Sequence, residues 1–343
     1  MSQATVKRLI FDSAILGYLL TLILLAITGP SEEELLRMDR NLWVVLAFMV
    51  VGAVISQVLN ARGIRTLGES IFEPPHRKAG RVDMHWYQTF AGWELFVVFW
   101  VTVYMAARVT HFDFYELTDS EGLEGAIRLF QGIAAPNFTL LPKAIMAIIE
   151  TIYIAFLATV IAVPLAFVLS FLSAKNVMGT SSGGFVLYTL LRLVLNVTRS
   201  VEPLIWAIIF SVWVGIGPFA GMLALMIQSV ASLTKQYSEI VECVNEGPIE
   251  GIEATGAGRL QVIWFAIVPQ IILPYVSFTI YRWDINVRMA TIIGMVGGGG
   301  IGTMLMQYQW RSMWPEVGAI IVVIAIVVWL MDTASAYLRE AIR

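Results

Sequence analysis

Residues 297–302 read GGGGIG, inside RMATIIGMVGGGGIGTML at 288–305. Gly297, Gly299 and Gly302 satisfy G-x-G-x-x-G, a spacing with which backbone amides can approach a dinucleotide pyrophosphate. That chemistry needs a βαβ unit and an acidic residue about 20 positions further on. Here Glu316 is too near and Asp332 too far, and both lie in or beside a long apolar segment, so the nucleotide reading fails. A Walker-type cradle fails as well, because it requires lysine directly after glycine. None of Lys7, Lys78, Lys143, Lys175 and Lys235 follows one, and the chain alone is expected to hydrolyse no ATP. His76, His85 and His111 are scattered and Cys243 is the single cysteine, which argues against a metal cluster and an intramolecular disulfide framework. A net charge of −3 gives no basic face for nucleic acid.

The remaining reactive groups are carboxylates near or within apolar stretches: Asp12, Glu94, Glu150, Glu202 and Asp332. Ionisable groups inside a membrane are costly and mark ion or proton pathways. Asp12, Glu150 and Asp332 fall near the ends of their stretches, within reach of solvent. Glu94 and Glu202 are left as candidate buried charges, and Arg199, one turn before Glu202, offers it a local ion pair. Glu94 has no partner in the local sequence.

The elements that carry these groups must be membrane helices, since 58% of the 343 residues are hydrophobic and 14% charged. A bilayer core needs about 20 apolar residues per crossing. Eight windows qualify, near 13–28, 42–59, 90–108, 145–171, 187–213, 219–238, 262–281 and 317–338. The chain is expected to be an all-α polytopic membrane protein. Asp12 interrupts the apolar segment that follows Lys7 and Arg8 and no small-residue cleavage site is clear, so the first span reads as an anchor rather than a removable signal. Pro203 removes a backbone donor within the fifth window and predicts a break there. Arg62, Arg65, Arg77, Lys78 and Arg81 make the 60–90 loop basic, while the loops at 29–41 and 109–141 are mainly acidic. The basic loop is therefore expected in the cytoplasm, with both termini on the same side. Arg282, Arg288 and Arg311 then fall on the outer side, against the rule, and call for pairing or for an anionic cargo. QGIAAPNFTLLP at 131–142 marks a boundary, dividing residues 1–140, with three spans, from a core at 141–343 with five.

Between the sixth and seventh windows lies YSEIVECVNEGPIEGIEATGAGRLQVIWFAIVPQIILP (237–274). Ile249, Ile252 and Leu260 give this loop an apolar side; Glu246, Glu250 and Glu253 give it a polar one. Such a segment can lie along a membrane and meet a soluble partner. Gly256 and Gly258 are expected to end a first helix and turn the chain. The loop resembles the EAA loop of binding-protein-dependent ABC importer permeases, in which Glu-Ala-Ala is followed by a glycine six residues after the glutamate and later by proline. Glu250, Gly256 and Pro269 hold those places, and Gly251 and Ile252 replace the alanines.

From about residue 150 the chain resembles phosphonate and phosphite importer permeases of that family. The resemblance is carried by ETIYIAFLATVIAVPLAFVLSFLSAKN (150–176), LNVTRSVEPLIWAIIFSVWVGIGPFAGMLAL (195–225), EATGAGRLQVIWFAIVPQ (253–270) and YRWDINVRMATIIGMVGGGGIG (281–302). Where such permeases usually read Arg, small, Val, Pro, Glu, this chain has Arg199, Ser200, Val201, Glu202 and Pro203, with the proline one place later. The resemblance implies a type I importer core that works as a homodimer with two cytoplasmic ATPase subunits and an extracytoplasmic substrate-binding protein, embedded in inner-membrane lipid. ATP and Mg would be bound by the ATPase and no cofactor by this chain. It further implies that Glu246, Gly247, Glu250, Glu253, Gly256 and Ala257 couple the chain to the ATPase. In a homodimer Asn286 and Arg288 would face the pathway, the alternative being that they anchor the outer membrane interface or pair with Asp284, and Gly297, Gly298, Gly299 and Gly300 would form a gate near the symmetry axis. The cargo would be phosphonate, phosphite or phosphate. A methionine or betaine importer is the neighbouring alternative, and a secondary transporter using Glu94 or Glu150 as its proton site is the alternative from another class.

Overall fold

The computed structural model describes residues 3–28, 38–72, 85–179 and 182–342. His76, Arg77, Lys78 and Arg81 of the basic loop, Glu32, Glu33 and Glu34 of the first acidic loop, and Arg343 lie outside the described residues. Every regular element among the described residues is helical. The chain divides into two compact units, Met1–Leu123 and Glu124–Arg343.

The first unit contains α1 (Gln3–Thr28), α2 (Met38–Ala61), the short α3 (Leu67–Phe72), α4 (Phe90–Val109) and α5 (Phe114–Thr118). Asp12 of α1 was expected within reach of solvent, yet it is fully buried. Its carboxylate accepts from Ser56 Oγ of α2 (2.8 Å), Thr66 Oγ1 (2.6 Å) and the amide of Gly68 (2.8 Å). Three donors satisfy the charge, which is what burial of a carboxylate requires. Glu94 of α4, also buried, accepts from the Leu67 amide at 3.0 Å. Its partner is a backbone group, and such a partner leaves no trace in the pattern of side chains.

The second unit continues from α6 (Ser120–Ala134) into α7 (Leu141–Leu172), α8 (Lys175–Met178), α9 (Ser182–Ser200), α10 (Pro203–Val214), α11 (Pro218–Glu242) and α12 (Glu246–Glu253). Then come α13 (Arg259–Val262), a π-helical turn (Ile263–Ile267), α14 (Val268–Met295), α15 (Gly300–Trp310) and α16 (Trp314–Ala341). Its centre is a three-helix packing of α7, α11 and α14. Ala155, Ala158, Ala162 and Ala166 recur at three- and four-residue steps along α7 and are all buried, and Ala220 and Ala224 on α11 share a core with the first two. Small side chains let helix backbones approach closely where lipid provides no hydrophobic drive between them. A second cluster joins the start of α7 to α15 and α16 through Ala144, Ile148, Ile301, Leu305, Val317 and Ile320.

Among the described residues six helices are long and apolar enough to cross a bilayer, and α9 with α10 makes a seventh if that pair is one span. The pair is bent by 91° at a break ahead of Pro203, which opens α10. The sequence reading has eight windows; the difference is α11. Gln228, Ser229, Thr234 and Ser238 lower its hydropathy, yet all four are buried within the chain. Hydropathy scores polarity against lipid, and these groups face protein. The window ending at residue 281 also needs correction, because α14 runs on to Met295. Arg282, Asn286 and Arg288 therefore sit inside a helix rather than in an outer loop.

Candidate translocation site

Three arrangements in the second unit carry the polar groups of interest. The first is the loop helix. Asn245 precedes α12, and its amide and carbonyl are both bound by the Gln270 side chain, at 3.0 and 3.4 Å. Ile249 packs towards a buried cluster that contains Tyr237, Val241, Ile267 and Ile271. Glu246, Gly247, Glu250 and Glu253 are exposed and Ala257 is half-buried. Leu260 was expected on the apolar side, but it is 82% exposed. Gly256 ends the helix at φ +83°, a conformation in which glycine carries no Cβ penalty. A cleft of about 430 Å³ lies beside α12, lined by Glu242, Glu246, Glu250, Glu253 and Arg259 among others. Behind it Tyr237 and Tyr275 stack with centroids 3.7 Å apart, and each hydroxyl donates to the other residue's backbone carbonyl, at 3.3 and 3.1 Å.

The second arrangement is a polar layer in the centre of the helix packing. Asn286 of α14 is fully buried, and its Nδ2 donates to Thr159 Oγ1 of α7 (2.9 Å) and Ser229 Oγ of α11 (2.7 Å). Arg282 Nε donates to the same Ser229 oxygen at 3.1 Å. One side chain thus ties the three central helices together. Two residues further along α14, Arg288 turns towards α16. It pairs with Asp284 one turn earlier at 2.5 Å and with Asp332 of α16 at 3.4 Å. The orientation rule places Arg288 and Asp332 towards opposite membrane faces; the structure brings them together because α14 runs on to Met295 instead of ending near residue 281, which sets Arg288 alongside α16. The same register puts Arg339 over the Tyr281 ring, at 5.6 Å.

The third is the glycine run. It forms the turn between α14 and α15 and nests against two other helices. A Cβ on Gly299 would lie 2.7 Å from the Pro218 ring at the start of α11, and one on Gly297 would lie 2.7 Å from Ile216. A Cβ on Gly298 would overlap Ile293, and one on Gly300 would overlap Thr151 Oγ1. The first amides of α15 are received by α7, with Glu150 accepting from Gly300 at 3.3 Å and Thr151 from Ile301 at 2.9 Å. A carboxylate there complements the positive end of the helix.

The proposed pair of Arg199 with Glu202 is absent among the described residues, and Glu202 is exposed at the break. The helix ends at Ser200, so the one-turn spacing that would join them is lost. The Arg199 carbonyl instead accepts from Gln228 Nε2 at 3.2 Å. Thr159, Ser229 and Thr151 were not singled out from sequence, and Asp332 was read only as a carboxylate within reach of solvent, with no link to Arg288. They lie 44 to 150 positions from their partners, and no local pattern points to them.

Residues 166–343 match the family of binding-protein-dependent transport system inner membrane components, and the chain belongs to that family. It is 36% identical over 219 residues to the phosphite transport system permease protein PtxC of Stutzerimonas stutzeri, a match that covers 64% of this chain and 78% of the relative. It is 33% identical over 216 residues to the phosphate-import permease protein PhnE of Mycolicibacterium smegmatis, covering 63% of this chain and 40% of that longer relative. A putative cryptic phosphonate transport system permease protein of Escherichia coli is 42% identical over 119 residues, 35% of this chain and 98% of the relative. Among solved structures, a permease chain of an inward-facing methionine ABC transporter shares the fold at TM-score 0.53 and 19% identity, over 60% of this chain and 99% of that one. The protein is thus a multi-pass inner-membrane permease.

Proposed function

We propose that the chain is the translocating subunit of an ATP-driven importer for a phosphorus oxyanion of the phosphonate, phosphite or phosphate class. On this reading it acts as a homodimer, with two ATPase subunits at the cytoplasmic face and an extracytoplasmic binding protein, and both its termini are cytoplasmic. Residues 141–343 are the transport core and residues 1–140 stand outside it. The observation that carries the reading is Arg288, a half-exposed guanidinium in the interior of a membrane helix. A charge at that place must face water or protein rather than lipid, and a phosphorus oxyanion matches its donors. The names of the relatives support the cargo class.

Coupling runs through α12, whose exposed glutamates meet the ATPase. Ile249 passes its displacement to the Tyr237–Tyr275 stack, and so to α11 and α14. ATP and Mg are held by the ATPase and this chain contributes no cofactor. The glycine turn, which admits no side chain, is the gate.

The test is uptake by the complete transporter reconstituted in proteoliposomes with its ATPase and binding protein. Phosphite, methylphosphonate, phosphate and methionine are offered in turn. The expected result is ATP-dependent accumulation of one of the three oxyanions, loss of it in Arg288→Gln, and unchanged assembly and basal ATPase activity in that variant. Accumulation of methionine alone, or uptake driven by a proton gradient without ATP, refutes the proposal.

A further inference from the structure

Arg288 has two carboxylate partners, and they are not equivalent. Asp284 lies on the same helix one turn away, with a side chain only 6% exposed, so it travels with Arg288 as α14 moves. Asp332 lies on α16, its side chain is 47% exposed and its contact is longer, at 3.4 Å. It is the partner that a relative movement of α14 and α16 would separate. Both carboxylates reach the same nitrogen, Nη2, so an arriving anion competes with them for the guanidinium.

Resting on the proposed oxyanion transport, we propose that Asp332 is a positioning residue for the cargo. It holds Arg288 between α14 and α16 in the conformation seen here, yields the guanidinium to the oxyanion when the two helices part, and reclaims it to expel the anion. A pathway must bind its cargo weakly enough to let it go. An arginine on the pathway without a competitor would hold its anion too long, because charge-assisted bonds are the strong ones. Asp284 cannot serve as the competitor, since it is buried on the helix of Arg288 itself. The antiparallel register, fixed two turns away by Arg339 over Tyr281, returns Asp332 to the same guanidinium after each cycle.

The experiment compares the complete reconstituted transporter carrying wild-type permease, Asp332→Asn, Asp332→Glu, Arg288→Gln, and Arg288→Gln with Asp332→Asn. Maximal uptake rate and half-saturating concentration are measured with the oxyanion that the wild type carries. The expected result for Asp332→Asn is a fall in maximal rate of roughly tenfold, the scale of one charge-assisted hydrogen bond, with half-saturation unchanged because the binding protein sets it. Asp332→Glu restores uptake, and the double variant is no worse than Arg288→Gln, since Asp332 acts only through that arginine. Normal uptake by Asp332→Asn, or a double variant whose loss is the sum of the two, overturns the inference while leaving the transport reading intact. A wild type that imports none of the oxyanions overturns both. Complex yield and melting temperature are recorded for each variant; a loss of uptake that follows a loss of complex in Asp332→Asn and is not rescued by Asp332→Glu counts against a positioning role.

Discussion

Replacing Gly300 by alanine tests whether the glycine turn is demanded by backbone, by space, or by both. Gly300 has φ +68°, and a Cβ built on it overlaps Thr151 Oγ1. The left-handed backbone costs a residue with a Cβ about 1–2 kcal/mol. Moving Thr151 aside also removes the acceptor of the Ile301 amide, now 2.9 Å away, and an unpaired buried amide costs about 1–3 kcal/mol. Gly300→Ala should therefore destabilise the second unit by roughly 2–5 kcal/mol. Two companions separate the contributions. Gly256 has φ +83° with open space around it, so Gly256→Ala carries the backbone cost alone, about 1–2 kcal/mol. Gly221 lacks positive φ, but its Cβ would lie 2.6 Å from the Gly298 carbonyl, so Gly221→Ala reports crowding alone. Denaturant titration of the purified protein in detergent, followed by tryptophan fluorescence, gives the three free energies. A Gly300→Ala protein as stable as wild type refutes the reasoning, and so does a Gly256→Ala protein equally destabilised.

Gly299→Val should abolish uptake while leaving α12 able to retain the ATPase on co-purification, because the added side chain meets the Pro218 ring; normal uptake would leave the run a mere turn. Asn286→Ala removes two hydrogen bonds between membrane helices, each about 0.6 kcal/mol in such settings, and should destabilise the second unit by roughly 1–2 kcal/mol in the same titration. Asp12→Ala strips three donors of their acceptor and should expose the first unit to limited proteolysis at protease levels that wild type resists.

What could be read from sequence follows from the range over which each signal acts. The end of the loop helix at Gly256 and the break ahead of Pro203 were legible because a single residue type dictates each backbone outcome. The helical class and most spans were legible because apolar length is a local property. The end of α14 was not, since Arg282, Asp284 and Arg288 lower hydropathy without ending the helix. The two arginines are met by Ser229 and Asp332, on other helices, and Asp284 by Arg288 one turn away. For the same reason α11 scores as less apolar than its burial warrants, and Asp12 looked solvated because its donors arrive from α2 and from the start of α3. The glycine run was read as a gate near a symmetry axis, but its neighbours within the chain, Thr151 and Pro218, could be identified only once the chain had folded.

The π-helical turn at Ile263–Ile267 fixes an angle. It holds one residue more than an α-helical turn would, and each residue of a helix advances the azimuth by about 100°. Without that extra residue α13 and α12 would leave the membrane helix pointing a little over a quarter of a circle, about 100°, away from their present direction, while Tyr275, Asn286 and Arg288 kept theirs. The bearing of the loop helix relative to the polar layer is thus set by a count. A single-residue deletion here should leave every apolar stretch intact and still aim α12 at the wrong place.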